Sequence, residues 1–334
     1  MAEATFSDLG KVEAIKSLYE GTPFSADDKG VYSALSGDKT LETSTLMIEG
    51  TDFDLVYFPL KHLGYKTVVK LTGELYSSLA EPYSLSLKIG VSSKLDYAQI
   101  KELWSGVVVA ATEVGIKHVL LDLVPSQNGL IISASSLGVV NAAAAAARPQ
   151  PKSMDILAVT GNLGAAYMGL RLLEAEKTKY ESGAANVSNL ENYKMLVGAY
   201  LKPEISPVTP SQMANGMIIP SAAVCVKEGL ADAVKRIVRE TGLGAKIYAD
   251  KIPFEGNTFE LGKQLNADPV SAAMNGGDDF CLLLAIPIGG FEAFHKEFPC
   301  AEPVGHLAKP EVGTVLVTPE GAELQITAPS WKEE

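Results

Sequence analysis

The acids and lysines that stand beside glycines are the side chains of this sequence best placed for chemistry. Asn275-Gly-Gly-Asp-Asp-Phe280 sets Asp278 and Asp279 directly after two glycines, a pattern that serves a tight turn or a ligand site. Thr160-Gly-Asn-Leu-Gly164 has the form of a glycine-rich strand-to-helix turn. Such turns can hold a phosphate on their backbone amides, although close packing is their commoner use and the spacing is not that of a Walker loop. Asp122 is a lone acid in the apolar run Leu120-Leu-Asp-Leu123, where it is either a strand-end polar residue or a ligand, since buried acids need partners. Arg148 precedes a proline turn and suits an exposed interdomain position or an anion contact. Trp104 shares helical spacing with Ile100, Leu103 and Val107, which favours a place in a helix core over a ligand contact. His62, His118, His295 and His306 show no metal-ligand spacing. Cys225, Cys281 and Cys300 form no Cys-x-x-Cys pair, so neither a zinc site nor a disulfide framework is indicated.

These residues need a scaffold, and its elements are legible in outline. A short helix is predicted around Lys11 to Tyr19. Strands are predicted over Thr43–Ile48, Phe53–Phe58, Lys66–Leu71 and Tyr83–Ile89, with a helix over Lys61–Leu75 as the alternative to the third. Asp96-Tyr-Ala-Gln99 is a capping-box start for a helix that Gly115 closes. Buried strands follow at His118–Val124 and Gly129–Val139, then an alanine-rich run over Asn141–Ala147. Arg148-Pro-Gln-Pro151 breaks regular structure, and divides the chain into domains at 1–148 and 149–334. The second half predicts strands at Asp155–Val159, Ala245–Ile252 and Cys281–Ile286, and a strand pair at Val312–Thr318 and Glu323–Thr327. It predicts helices at Gly164–Glu176 and about Ser221–Glu240. The alternation is that of an α+β or α/β protein with mixed sheets, without repeats.

The chain has 334 residues, long enough for two domains. Its composition, 47% hydrophobic and 20% charged, allows a core without metals or disulfides. A net charge of −12 and the lack of any Lys/Arg run argue against nucleic acid as a partner. The acidic N-terminus is not read as a signal peptide, and no apolar run is long enough to span a membrane. A cytoplasmic protein with reduced thiols is the expectation.

Glu49-Gly-Thr-Asp-Phe-Asp-Leu55, Pro59-Leu-Lys-His-Leu-Gly-Tyr-Lys66, Thr160-Gly-Asn-Leu-Gly-Ala-Ala-Tyr-Met-Gly-Leu170 and Asn275-Gly-Gly-Asp-Asp-Phe280 resemble the thiamine-monophosphate kinase family, of the aminoimidazole ribonucleotide synthase-related superfamily. The resemblance runs from about residue 29 to Trp331. It implies a two-domain synthase-like fold: an N-terminal domain whose mixed sheet pairs across a dimer, and a C-terminal α/β domain. It also implies transfer of the γ-phosphoryl of ATP to thiamine monophosphate with magnesium, a hard cation that bridges carboxylates to phosphates.

Carried over residue by residue, the resemblance assigns Asp122 as the catalytic acid. It assigns Thr43, Ser44, Glu74, Asp122 and Glu228 to metal, and Trp104 and Arg148 to nucleotide; Lys70 and Lys227, which depart from the family pattern, are read as phosphate-binding by their charge. Asp52, Asp278 and Trp331 fall to substrate. The sequence departs from the family pattern at the carboxylates. Tyr32-Ser-Ala-Leu35 stands where the family has Gly-Asp-Asp-Ala-Ala. Thr43-Ser-Thr45 stands for Thr-Thr-Asp, and Lys70-Leu-Thr-Gly73, followed by Glu74, for Asn-x-Ser-Asp. Leu120-Leu-Asp-Leu123 stands for Gly-Gly-Asp-Thr, and Cys225-Val-Lys-Glu-Gly-Leu230 for Asp-x-Ser-Asp-Gly-Leu. A site that loses carboxylates and gains Lys70 and Lys227 shifts from cation binding toward anion binding. The expectation is a relative with impaired or lost kinase activity that binds a nucleotide or phosphorylated small molecule without metal. It would act as a homodimer or in a heterodimer with a true kinase subunit. The alternative is an active kinase using magnesium and ATP.

Overall fold

The computed structural model describes residues 6–26, 39–183, 190–329 and 331. The chain forms two compact units, Met1–Leu75 with Ala80–Val140, and Tyr76–Leu79 with Asn141–Glu334. The break at Val140 falls ahead of the Arg148–Pro151 turn, at which the sequence divides the chain.

The first unit contains α1 (Phe6–Tyr19), β1 (Lys39–Ile48), α2 (Leu60–Ser77), β2 (Ala80–Ser92), α3 (Tyr97–Glu113), β3 (His118–Ser126) and β4 (Ile131–Val140). Its sheet has the order β1-β4-β2-β3. β4 is antiparallel to both neighbours and β3 is parallel to β2, so the sheet is mixed. Alternation along the strands sends Met47, Leu85, Leu87, Ile89, Val119, Leu123 and Ile132 to one buried face. Thr67 of α2 reaches that face, its Oγ1 lying 3.5 Å from Met47 Sδ. α3 starts at the capping box that the sequence predicts, with Asp96 Oδ1 accepting from Gln99 N and Gln99 Oε1 from Asp96 N. α2 and α3 cross closely. A Cβ on Gly64 would stand 2.0 Å from Leu103 O, and one on Gly106 would stand 1.8 Å from Lys61 O. Only glycine permits that backbone approach.

The second unit contains α4 (Ala142–Ala147), β5 (Ile156–Val159), α5 (Ala165–Glu181), α6 (Lys194–Leu201), α7 (Pro210–Asn215), β6 (Ala222–Cys225), α8 (Leu230–Thr241) and β7 (Gly244–Tyr248). α9 (Thr258–Leu265), α10 (Pro269–Asn275), β8 (Leu282–Ile286), α11 (Phe291–Glu297), β9 (Glu302–Ala308), β10 (Thr314–Val317) and β11 (Glu323–Gln325) complete it. The sheet order is β11-β10-β7-β9-β5-β8-β6. Only the β10–β7 pair is parallel. One core lies between this sheet and α8, with Leu230, Val234 and Ile237 against Val224, Ile247 and Leu283. A second joins α5, α6, α9 and α10 around Met168, Leu196 and Leu261.

Two sequence expectations are corrected. Residues 53–58 form turns rather than a strand: the Asp54 carboxylate accepts from Val56 N, and Asp54 O from Phe58 N. The helix expected over Ser221–Glu240 is strand β6, a break at Gly229 (φ 101°) and then α8. The run 222–225 is wholly buried and pairs with β8. The ambiguous stretch 61–75 is helix α2, not a strand.

Candidate functional site

Strand alternation places Asp122 on the face of the first sheet opposite α2, directly across from Lys88 of β2. Lys11 of α1 stands 2.5 Å from Asp122 Oδ1, both side chains being about half exposed. The hydrogen bond from the Lys11 ammonium, with its charge, that of Lys88 and the Leu123 amide, outweighs burial and holds the Asp122 carboxyl below the usual range. A cavity of 250 Å³ opens beside the pair, lined by Ile15, Tyr19, Ser86, Lys88, Leu120 and Asp122 among others. Trp104 is 2% exposed. Tyr19 covers it, with ring centroids 5.1 Å apart, and the Tyr19 hydroxyl donates to Val119 O at 2.8 Å.

The other first-unit residues assigned by the sequence do not gather around Asp122. Thr43 and Ser44 lie on β1, and β1 and β3 are opposite edges of the sheet, about 14 Å apart at three strand spacings. As neighbours on a strand, Thr43 and Ser44 also face opposite sides. Lys70 and Glu74 sit one turn apart on α2, across the sheet from Asp122. Asp52 braces the turn after β1: its carboxylate accepts from Ile48 N at 2.8 Å, and its own amide donates to Ile48 O. The Tyr32–Leu35 segment lies outside the described residues.

The second unit does bring three assigned residues together. β6 and β8 keep pairing beyond their ends, through Val226 N to Cys281 O, Phe280 N to Val226 O and Asp278 N to Lys227 O. Lys227, Glu228 and Asp278 therefore share one rim. Gly277, Asp278 and Phe280 all have positive φ, at 77°, 62° and 50°. Left-handed backbone at a non-glycine residue stores about 1–3 kcal/mol, and such strain collects at functional sites. Asp279 accepts from Gly164 N and Ala166 N at the start of α5. The Asp-Asp pair thus divides into one rim acid and one helix cap.

Arg148 and Trp331 are held by structural partners. Arg148 Nη2 donates to Ser77 O at 3.0 Å, and burial draws its pKa down while Glu240 opposes the shift. Trp331 Nε1 donates to Asp232 Oδ1 at 2.8 Å, and the Arg239 guanidinium lies 4.9 Å from its ring centroid. Sequence reasoning missed Lys11, Tyr19, Asp232 and Arg239; no local motif marks any of them.

No family model matches the chain. It is 23% identical over 290 residues to a thiamine-monophosphate kinase of Synechococcus elongatus, covering 86% of this chain and 84% of that one. The enzyme of Bacillus subtilis is 24% identical over the same coverage. The crystal structure of thiamine-monophosphate kinase from Stenotrophomonas maltophilia superposes with a TM-score of 0.72 at 21% identity, covering 87% of this chain and 89% of that one.

The chain is a distant relative of the thiamine-monophosphate kinases.

The kinase-like scaffold extends nearly end to end. AaThiL, solved with AMPPCP and TMP, gives a TM-score of 0.71 at 18% identity and covers 97% of both chains. The E. coli hydrogenase maturation protein HypE also shares the fold, with a TM-score of 0.69 at 17% identity over 95% of this chain and 96% of that one. The fold is therefore the two-unit aminoimidazole ribonucleotide synthase-like one that the sequence implied.

The described residues that the resemblance assigns to magnesium in the first unit do not gather around one point. Among the described residues no three of His, Cys, Asp and Glu stand close enough to hold a metal ion. Magnesium asks for near-octahedral oxygens at about 2.0–2.1 Å, and a single ion cannot span the two sheet edges. No helix of the described residues is long and apolar enough to cross a membrane.

Proposed function

We propose that the chain is a non-catalytic relative of thiamine-monophosphate kinase, a binding or regulatory protein for a nucleotide or another phosphorylated small molecule. The observation that carries this reading is the separation of the assigned metal set. Thr43 and Ser44 stand on one sheet edge and Asp122 on the other, with Glu74 across the sheet. Phosphoryl transfer rests on positioning and on metal-borne charge stabilisation, so scattered oxygens give no equivalent. Lys227, on the rim with Glu228 and Asp278, can meet a phosphate with its own charge.

AMPPCP in AaThiL supports nucleotide as the ligand class. A homodimer through the first-unit sheet is part of the proposal, as is a heterodimer with a true kinase. The HypE–HypF complex, whose structure also resembles this chain with a TM-score of 0.63, supports a heteromeric mode. The second reading is an active kinase, favoured by end-to-end coverage of AaThiL with AMPPCP and TMP.

Calorimetric titration with a non-hydrolysable ATP analogue, in magnesium and then in EDTA, separates the two readings. Binding indifferent to the chelator is the expected result. Magnesium-dependent binding, with thiamine diphosphate formed from thiamine monophosphate and ATP, would overturn the proposal.

A further inference from the structure

α1 is broken at Gly10, whose φ of 69° and ψ of 165° are not helical, so its continuous part opens at Lys11. A lysine in a first helical turn faces the partial positive charge of exposed amides, where an acid is the favoured residue. The balancing acid comes from another element, Asp122 of β3. Lys11, Ile15 and Tyr19 recur every four residues and share one stripe of the helix. All three stand at β3: Lys11 on Asp122, Ile15 and Tyr19 on the cavity that Leu120 and Asp122 line, and the Tyr19 hydroxyl on Val119 O.

We propose that Lys11 is the resident cation of this sheet edge: Asp122 anchors the chain's own N-terminal helix through the Lys11 ammonium, in place of a divalent ion. This rests on the reading of the chain as a metal-independent relative. With Lys88 opposite Asp122 in the register, the acid faces two ammonium groups, and the patch carries a net positive charge before any ion arrives. A divalent ion there would find one carboxylate, already engaged, and two like charges beside it. The same helix lays Tyr19 on Trp104. The residues for which the resemblance predicts metal and nucleotide are thus both held by α1, and loading either requires α1 to lift from β3.

Hydrogen-exchange mass spectrometry of the full chain tests this in the wild type, Lys11→Glu, Asp122→Lys and the double charge swap, with and without millimolar magnesium. Each single reversal is expected to speed exchange over residues 11–19 about two- to fivefold, the scale of a half-exposed ion pair. The swap is expected to restore protection, and magnesium to leave α1 unchanged. Should a charge reversal prevent folding, Lys11→Met keeps the stem and is expected to give the lower end of that range. Wild-type protection in the single variants overturns the proposal. So does a swap no better than the summed singles, or faster α1 exchange in magnesium. A failed swap with chelator-indifferent ligand binding removes the role of Lys11 alone; magnesium-dependent nucleotide binding removes the functional reading beneath it.

Discussion

Replacing Trp331 by phenylalanine sets two roles for that residue against each other. The family resemblance puts it beside a substrate, whereas its contacts make it a clamp on α8. The indole N–H donates to Asp232 Oδ1 at 2.8 Å, and Asp232 is only 7% exposed. Phenylalanine keeps a ring under Arg239 but removes the donor. Losing a hydrogen bond to a buried charged group costs about 1.5–3 kcal/mol. Trp331→Ala also loses the ring contact with Arg239, worth about 0.5–1 kcal/mol, and the packing against the core of the second unit. Two units can unfold separately, so the assay should read α8 itself. Hydrogen exchange over Leu230–Thr241, supported by urea unfolding followed by circular dichroism, does so. Exchange of α8 should rise in Trp331→Phe. In a double-mutant cycle, Asp232→Asn should couple to it by about 1 kcal/mol or more. Unchanged α8 protection with zero coupling, alongside weakened ligand binding, would refute the clamp and return Trp331 to the substrate.

Two further outcomes follow from the geometry. Gly106→Ala forces its Cβ against Lys61 O, and separating α2 from α3 should cost unit 1 about 1–3 kcal/mol or more. Urea unfolding followed by the fluorescence of Trp104 reads this loss. Gly198→Ala is the contrasting control, since Gly198 sits in α6 with open space around its Cβ, and should be neutral or stabilising by up to about 1 kcal/mol. His306 has its pKa lowered by burial and by Lys246, while Tyr248 and Glu323 flank the same patch. The unfolded chain therefore binds a proton at higher pH than the folded one. Stability should fall as pH drops through the ordinary histidine range, about 6.5, toward the lower folded value, and level off below it. His306→Gln should flatten that segment of a stability–pH profile; an unchanged slope would show that another group causes it.

The fold was legible mostly where the signal was local, the Asp54 turn within 53–58 being the exception. The Asp96–Gln99 box gave the start of α3, and the Pro-Glu-Gly turn joined β10 to β11, because both features are complete within a few residues. Signals that depended on distant neighbours were lost or misread. Periodicity could not decide 61–75, where Gly64 of α2 and Gly106 of α3 let the two helices press together. Residues 53–58 were misread for a local reason: their alternation looks like a strand, but the Asp54 carboxylate closes a turn on Val56 N two residues away. The run from Ser221 is apolar enough to join a helix, and only its pairing with β8 makes it a strand. At the candidate site, the rim of Lys227, Glu228 and Asp278 was legible as separate residues but not as a cluster. The Lys11–Asp122 pair joins residues more than a hundred positions apart, and nothing in either segment points to the other.

The motifs that carry the family likeness are largely packing devices, so the scaffold can persist whatever side chains stand at the charged positions around it. A Cβ on Gly229 would stand 2.4 Å from Met274 O, and one on Gly277 would stand 2.9 Å from Lys227 O. The 225–230 and 275–281 loops thus interlock through glycines whose role is steric. Gly164 fits against Ala273 N in the same way, while Asp279 caps the helix it opens. None of these contacts involves a metal ligand, so replacing carboxylates at 43–45, 70–73 or 225 leaves them intact. The positions that set charge are free to vary over that frame. Here they leave an edge aspartate facing two lysines and a strained rim that carries a third, the charge distribution on which the proposed anion binding rests.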